Sequence, residues 1–225
     1  MWSISEMKAR GKAAFKNNYW RCVLVAFILS LLTAGSSASG SGNSAKNSEQ
    51  LPLDNEEVLA ILAVIAGIIV IFTIVWSILR IFVLNPLEVG CHSFLKKNLD
   101  SPVELDCLKD GFADYKKSVV TLLLRDIFLA LWFCLLIIPG IIKSYSYMMV
   151  PYIVMDDPEL SAKEVITKSR QMMNGNKWRT FCLDLSFIGW ILLSIITCGL
   201  VGIFYTEPYR RSTRAALYLE LKDTV

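Results

Sequence analysis

Histidine occurs only once in the 225 residues, and this scarcity limits the metal chemistry open to the chain. His92 follows Glu88 by four residues, so the two side chains share one helical face and could join a metal site or a proton relay. A zinc site needs three or four ligands, and the chain has no second histidine to complete one. We therefore predict no metal site.

Catalytic and redox motifs are also missing. The chain has no glycine-rich phosphate loop, no nucleophile elbow and no pair of metalloprotease histidines. Its cysteines form no Cys-x-x-Cys pair and do not occur in residues 35–57, so we expect reduced packing residues. They are Cys22, Cys91, Cys107, Cys134, Cys182 and Cys198. The sequence predicts no cofactor and no catalytic residues, which favours a non-enzymatic protein.

Long apolar runs dominate the chain instead. Hydrophobic residues make up 54% of the sequence and the mean hydropathy is +0.49, whereas a soluble domain is about 45–50% apolar. A helix needs about 20 apolar residues to cross the hydrocarbon core of a membrane. The runs cover residues 22–34, 58–79, 119–142, 148–155 and 181–205. They predict an integral membrane protein.

We predict an all-α fold with six membrane-spanning helices arranged as three hairpins. The run that begins at residue 119 is too long for one crossing and contains Pro139 and Gly140, which favour a turn. Residues 117–138 would therefore cross one way and residues 141–155 would return. The last run would turn at Cys198 and Gly199 and continue past Pro208.

The basic residues predict the orientation, because cytoplasmic loops collect lysine and arginine near the ends of spans. Five basic residues precede the first run, whereas residues 35–57 contain one lysine and four acidic residues. Basic residues are also frequent at 96–117, 163–179 and 210–214. Both termini should then be cytoplasmic, and the net charge of +3 gives little reason to expect a nucleic-acid partner. A cleaved signal peptide is the competing interpretation of the first apolar run, since small residues follow it.

The chain divides into three similar units within one membrane domain, at residues 1–98, 99–157 and 158–225. FKNNYWRC from Phe15 and MNGNKWRTFC from Met173 share an order of asparagine, tryptophan and arginine, and Asp126 and Asp184 occupy matching places in the second and third units. Such repeats often build a pseudosymmetric bundle with a site at the repeat interface. Any site would then lie between the last two hairpins, and residues 35–57 would form a flexible external loop.

Each hairpin follows a short amphipathic helix. Ser161 with Glu164, and Ser101 with Glu104, have the spacing of a capping box. Basic residues on the polar faces would suit anionic lipids of the inner leaflet. These helices could form an interfacial collar, or they could only cover the cytoplasmic end of the bundle.

Ionisable residues inside membrane segments are costly and often mark function. We expect the short carboxylates of Asp126 and Asp184 to pair with basic residues or to form a polar ligand site, and both interpretations stay open. The candidate ligand or ion-pair residues are Glu88, His92, Arg125, Asp126, Lys143, Asp184, Glu207, Arg210, Arg211 and Arg214.

Three stretches resemble a known family: PGIIKSYSYMMVPYIVMDDPELSAKEVITKSRQMMNGNKW, LSFIGW and PYRRSTRAALYLEL. They resemble the bacterial integral membrane family called domain of unknown function 975 and are more distantly similar to the membrane domain of some glycerophosphodiester phosphodiesterases. The resemblance covers most of the chain. It implies six spans in a bacterial plasma membrane and supplies no catalytic residues.

Two functional hypotheses follow. The first is a non-enzymatic membrane protein that binds a lipid, another amphiphile or a partner protein in a cytoplasm-facing polar cleft. The second is a small transporter or exporter with broken half-helices around a site near the midplane.

Overall fold

The structure is a computed structural model that describes residues 2–34 and 55–224, and within these ranges the chain contains helices and no strand. Two π-helical segments, Arg80–Leu84 and Gly202–Thr206, and one 3-10 segment, Leu105–Lys109, connect the α-helices. The α-helices are α1 Ile4–Asn17, α2 Tyr19–Ala34, α3 Asn55–Leu79, α4 Asn85–Lys97, α5 Asp110–Ala113, α6 Tyr115–Leu135, α7 Ile137–Ser146, α8 Val150–Asp156, α9 Ala162–Met172, α10 Lys177–Leu185, α11 Ile188–Ile196 and α12 Glu207–Lys222.

Four helical stretches in the described residues are long and apolar enough to cross a membrane. They are Leu62–Lys97, Tyr115–Leu135, Ile137–Asp156 and Lys177–Ile196, and Tyr19–Leu32 is a shorter apolar helix. The prediction of an all-α protein with long apolar helices is confirmed. The number of six spans stays a prediction.

Three helices whose second residue is a proline meet at the centre of the bundle. Pro86, Pro151 and Pro208 lie in the first turn of α4, α8 and α12, and all three are buried. Proline cannot donate a backbone hydrogen bond, and before Pro86 and Pro208 the chain forms wider π-type turns, in which the N–H groups of Asn85 and Glu207 donate to carbonyls five residues back. α4 contacts α8, α12, α2 and α6, so it lies at the junction of these helices.

The two π-helical segments precede two of these prolines directly. One has the sequence RIFVL before Asn85 and Pro86, and the other has GIFYT before Glu207 and Pro208. Each segment therefore links an exposed apolar helix to a helix of the buried centre through a wider turn.

The amphipathic α1 packs along α12. Ser3 caps α1 by accepting a hydrogen bond from the Glu6 backbone N–H at 3.2 Å, and the helix buries Met7, Gly11, Ala14 and Phe15. A Cβ atom at Gly11 would lie 2.6 Å from the Cα atom of Thr213, so glycine is what allows the two helix backbones to approach this closely. The first amphipathic helix thus covers the last helix of the chain.

The turn between α6 and α7 differs from the sequence prediction. α6 ends at Leu135, Leu136 is extended, and α7 begins at Ile137, so the break precedes Pro139 and Gly140. Pro139 lies in the first turn of α7, where its missing N–H costs nothing. Gly140 packs against the ring of Phe133, and a Cβ atom there would come within 2.5 Å of that ring.

The turn after α11 lies where the sequence predicted it. Cys198 and Gly199 follow α11 with φ angles of 51° and 88°, a left-handed conformation that glycine adopts easily. The helix before this turn bends at Ser186 and Phe187, between α10 and α11.

One of the two predicted capping boxes is present. Glu164 accepts a hydrogen bond from the Ser161 N–H at 2.7 Å and completes the box at the start of α9, which confirms that prediction. After the other predicted box, at Ser101 and Glu104, the chain forms the 3-10 segment Leu105–Lys109 and the four-residue α5, and Glu104 makes no side-chain cap. Both segments pack against α4. The second amphipathic interfacial helix stays a prediction.

α3 is exposed along the part whose side chains the structure describes. Every described side chain from residue 60 to residue 79 is exposed. The predicted external loop covered residues 35–57, and most of it lies outside the described residues. Its last three residues, from Asn55, belong to α3.

Candidate functional site

The predicted site residues occupy three separate ion-pair clusters and do not form a single cleft. His92 adjoins the first cluster through a hydrogen bond to the Glu88 backbone carbonyl, whereas Lys143 lies over the Trp132 ring. The first cluster contains Glu88, Arg125 and Asp126, the second Asp184 and Arg214, and the third Glu207, Arg210 and Arg211.

Arg125 of α6 is the centre of the first cluster. It donates from Nη1 and Nη2 to the two carboxylate oxygens of Glu88 at 2.7 and 3.3 Å, and from Nε to Asp126 Oδ1 at 2.9 Å. Arg80 approaches the other oxygen of Asp126 at 3.9 Å. Two guanidinium groups and two carboxylates balance, so this cluster joins α4 to α6 without excess charge.

The second cluster joins α10 to α12. Arg214 donates to Asp184 from Nε at 3.2 Å and from Nη2 at 2.7 Å, a bidentate geometry. The hydroxyl of Tyr145 also donates to Asp184, at 3.2 Å. The charges balance here too, and the Asp184 oxygens are occupied by groups of the chain.

The third cluster is different because its charges do not balance. Arg210 Nη2 and Arg211 Nε donate to the two oxygens of Glu207 at 2.6 and 3.1 Å. Among the described residues these two arginines form ion pairs with Glu207 alone. The cluster therefore has one positive charge in excess. The Nε atom of Arg210 is buried and has no hydrogen-bond partner within the described part of the chain.

A cavity of about 420 Å³ adjoins the third cluster. It runs along α11 and the π-helical segment before α12, with the charged cluster at one end and the Gly199 turn at the other. Its lining consists of Ser30, Ile191, Ser194, Gly199, Gly202, Ile203, Thr206, Glu207, Arg210 and Arg211. We call this space the α11 groove. It combines a cationic end with a largely apolar wall, a shape suited to an amphiphile.

His92 packs inside the centre of the bundle. Its Nδ1 donates to the Glu88 backbone carbonyl at 2.8 Å, and its ring meets the Tyr152 ring edge to face with centroids 4.7 Å apart. Tyr152 in turn stacks on Tyr218 at 4.9 Å. No group of three potential metal ligands occurs among the residues that the structure describes.

A fourth polar cluster, which the sequence did not predict, surrounds Asp156. This carboxylate is 5% exposed and accepts hydrogen bonds from Lys96 of α4 and, at 2.7 Å each, from Tyr218 and Lys222 of α12. The hydrogen bond from Lys222 to Asp156 raises the pKa of this lysine above its ordinary value. The cluster ties the ends of the three central helices together. Its sequence signal was only an aspartate at the end of an apolar run.

Lys143, a predicted site residue, lines a basic cavity whose other cationic residues were not predicted to form a site. Its Nζ atom lies 4.6 Å from the centre of the Trp132 ring, and the side chain lines a polar cavity with Arg170 and Lys177. The sequence predicted Arg170 and Lys177 only as part of a basic segment on the cytoplasmic side. Their association depends on how α9 and α10 meet α7, which the sequence did not predict.

The cysteines occupy varied environments. Cys22 and Cys91 are buried, Cys107 and Cys182 are half-buried, and Cys134 and Cys198 are exposed; all are free. Packing therefore explains the buried pair directly but does not explain the two exposed ones.

The comparisons with known proteins give one match. The model of a family described as "Protein of unknown function (DUF975)" matches residues 107–224, more than half of the chain. No curated protein and no solved structure matches. The distant similarity to glycerophosphodiester phosphodiesterases stays a prediction. The matched region contains α6 to α12, and with it the second and third clusters and the basic cavity. The chain belongs to the DUF975 family of proteins of unknown function.

Proposed function

We propose that this chain is a multi-pass protein of a bacterial plasma membrane with six spans, three repeated hairpins and both termini in the cytoplasm. The four long apolar helices support membrane insertion, and the distribution of lysine and arginine supports the orientation. The related sequences IFVLNP and IFYTEP, which begin at residues 81 and 203, support an internal repeat. Reporter fusions within residues 35–57 test the topology, and a cytoplasmic signal there would contradict it.

Within this topology, the proposed function is non-enzymatic binding of an anionic lipid or another anionic amphiphile in the α11 groove. The carrying observation is the cavity of about 420 Å³ at the Glu207, Arg210 and Arg211 cluster. With both termini inside, the charged end of the groove lies toward the cytoplasm and the Gly199 end lies toward the opposite surface. The headgroup of a lipid of the inner leaflet would lie at the arginines, with its chain directed into the bilayer.

The charge of the cluster supports an anionic ligand. Its net charge is positive because two arginines share one carboxylate. A buried N–H without an acceptor costs about 1–3 kcal/mol, so the Nε atom of Arg210 is expected to gain a partner when the groove is occupied. A phosphate or carboxylate headgroup would supply that acceptor.

Native mass spectrometry of protein purified in a mild detergent tests this function. Wild-type protein should carry enriched anionic lipid, and both Arg210→Gln and Ile191→Trp should reduce it, the first by removing charge and the second by filling the groove. Arg10→Gln is the matched control, because Arg10 lies on the exposed face of α1 and pairs with Glu220. Wild-type protein without enriched lipid, or equal retention in Arg210→Gln and Arg10→Gln, would contradict the proposal.

A second candidate function is transport. The observation that favours it is the pair of π-helical segments before α4 and α12, because local π-turns in long helices are frequent at functional sites and broken helices surround the substrate sites of many transporters. Transport would be supported if substrate flux is measured in reconstituted vesicles and falls in the Asp126→Asn variant. Unchanged flux in that variant would argue against this carboxylate.

A further inference from the structure

A second polar cavity, of about 370 Å³, lies between α7, α9 and the start of α10. Lys143, Arg170 and Lys177 line it. Its remaining lining residues are uncharged and polar, namely Ser146, Thr167, Gln171 and Asn174. It is distinct from the α11 groove, with which it shares no lining residue.

The three cations face this cavity without an acidic partner. In the part of the chain that the structure describes, none of them forms a salt bridge. Like charges around one cavity repel each other, and an anion between them relieves that repulsion. The charge arrangement therefore favours a ligand with at least one negative charge.

Two further features favour the binding of an anion in this cavity. The ammonium group of Lys143 lies 4.6 Å from the centre of the Trp132 ring, a cation–π contact that fixes its position. α10 begins at Lys177, and the first N–H groups of a helix have no intrahelical acceptor. Phosphate groups bind readily where cationic side chains and a helix N-terminus meet.

An apolar hollow of about 310 Å³ adjoins this basic cavity. Lys177 lines both spaces, and the remaining walls of the hollow come from Ile141, Ile142, Tyr145, Trp178 and Phe181. The rings of Trp178 and Phe181 stack with centroids 5.4 Å apart, and Trp178 is 72% exposed. Exposed tryptophan beside lysine is typical of the membrane–water interface. A soluble phosphate compound would use only the basic cavity, whereas a phospholipid would use both.

We propose that Lys143, Arg170 and Lys177 bind the phosphate of an anionic phospholipid, whose acyl chain lies in the hollow between α7 and α10. This site would fix the hairpin of α6 and α7 and the start of α10 to the lipid interface. It does not depend on the function proposed for the α11 groove.

The test measures binding of dioleoylphosphatidylglycerol and dioleoylphosphatidylcholine to the full chain in mild detergent by native mass spectrometry. Wild-type protein should prefer the anionic lipid. In the Arg210→Gln background, which impairs the α11 groove, the triple variant Lys143→Gln, Arg170→Gln, Lys177→Gln should bind it at least about tenfold more weakly than Arg210→Gln alone, since basic residues near a membrane surface each contribute to anionic-lipid affinity. The matched control replaces the exposed Lys12, Lys16 and Lys116 by glutamine. It removes the same charge elsewhere and should keep the preference.

The single variant Arg170→Gln keeps the proposal testable if the triple variant fails to fold, because this side chain is exposed. It should weaken binding of the anionic lipid several-fold. Equal losses of anionic-lipid binding in the triple variant and the control would show general attraction to surface charge and would overturn the site. Unchanged binding in both variants would also overturn it.

Two further measurements distinguish a phospholipid from free phosphate as the ligand, and this site from the α11 groove. Phe181→Ala should weaken binding of phosphatidylglycerol. Inorganic phosphate should still compete for the basic cavity as it does in the wild type. Phosphate binding without lipid binding would overturn the lipid assignment. Arg210→Gln should not affect this site, so loss of lipid only in Arg210→Gln would support the α11 groove and overturn the site described here.

Discussion

Arg214 of α12 forms a bidentate ion pair with Asp184 of α10, through Nε to Oδ1 at 3.2 Å and Nη2 to Oδ2 at 2.7 Å. The side chains are 24% and 14% exposed, so the pair is mostly buried. Asp184 also accepts from Tyr145 of α7. One carboxylate thus connects α7, α10 and α12, which favours a stabilising role over ligand binding.

We expect Asp184→Ala to destabilise the protein strongly. The substitution leaves the Arg214 guanidinium buried without its carboxylate, and breaking a buried pair in this way costs about 3–5 kcal/mol of the free energy of unfolding. Thermal unfolding in detergent measures the effect as a lower Tm. Bound lipid should be unchanged in the protein that remains folded.

The control for this prediction is Lys109→Ala, which removes a pair with Asp106 on an exposed surface. Exposed pairs contribute little, so its Tm should equal that of the wild type. Equal Tm values for Asp184→Ala and Lys109→Ala would contradict a stabilising role for Asp184.

The pair of Glu88 and Arg125 should show strong energetic coupling. Both hydrogen bonds from the Arg125 guanidinium to Glu88 are lost in either single variant, Glu88→Ala or Arg125→Ala, and removal of the second partner then costs less. A double-mutant cycle on chemical or thermal unfolding should give a coupling of about 0.5–3 kcal/mol. Additive effects of the two substitutions would show that the pair contributes nothing beyond its separate groups.

Gly11→Ala should separate α1 from α12. Its Cβ atom would lie 2.6 Å from both the backbone N and the Cα atom of Thr213, where no flexible side chain can move aside. Overpacking of this kind costs about 1–3 kcal/mol. The Tm should fall, and proteolysis near the amino terminus should become faster.

Gly189→Ala is the matched control for Gly11→Ala. Nothing lies within 4 Å of a Cβ atom at this position, and alanine favours helix more than glycine does. The Tm should stay equal or rise. A similar loss of Tm in both variants would show that close helix approach at Gly11 is unimportant.

The sequence predicted those parts of the fold that depend on local composition. Apolar runs of about 20 residues identify long helices, and the Cys198–Gly199 turn and the Ser161 box follow from residue preferences. Pro139 misled the prediction because proline both ends helices and begins them. Leu136, where the chain breaks, has no comparable signal.

The candidate sites were less predictable because they depend on packing between distant helices. The ionisable residues were recognisable from the cost of burying them. Their partners were not, since Glu88 and Arg125 come from different units of the chain. Lys143 belonged to the predicted set, but Arg170 and Lys177 looked like ordinary interfacial charges until α9 and α10 brought them to one cavity. Cavities leave no pattern in a sequence.

The hydrogen bond from Lys222 to Asp156 should make stability depend on pH. The pKa of Lys222 is raised above its ordinary value of about 10.5, first by this hydrogen bond. Since the folded chain binds this proton more tightly than the unfolded chain, the stabilisation is complete below the ordinary value and is lost as the pH rises through the folded-state pKa. Burial and the hydrogen bond to Asp156 also raise the pKa of Tyr218, so alkaline pH should weaken the cluster in both ways.

Lys222→Gln should therefore lower the Tm at pH 7, and the difference from wild type should narrow above a pH of about 10.5. Lys116→Gln is the control, because this lysine is exposed and forms no ion pair within the described residues. Its Tm should follow the wild-type curve throughout. Tm measured in detergent from neutral to alkaline pH gives both differences. A constant difference between Lys222→Gln and wild type would show that the ammonium group does not stabilise Asp156.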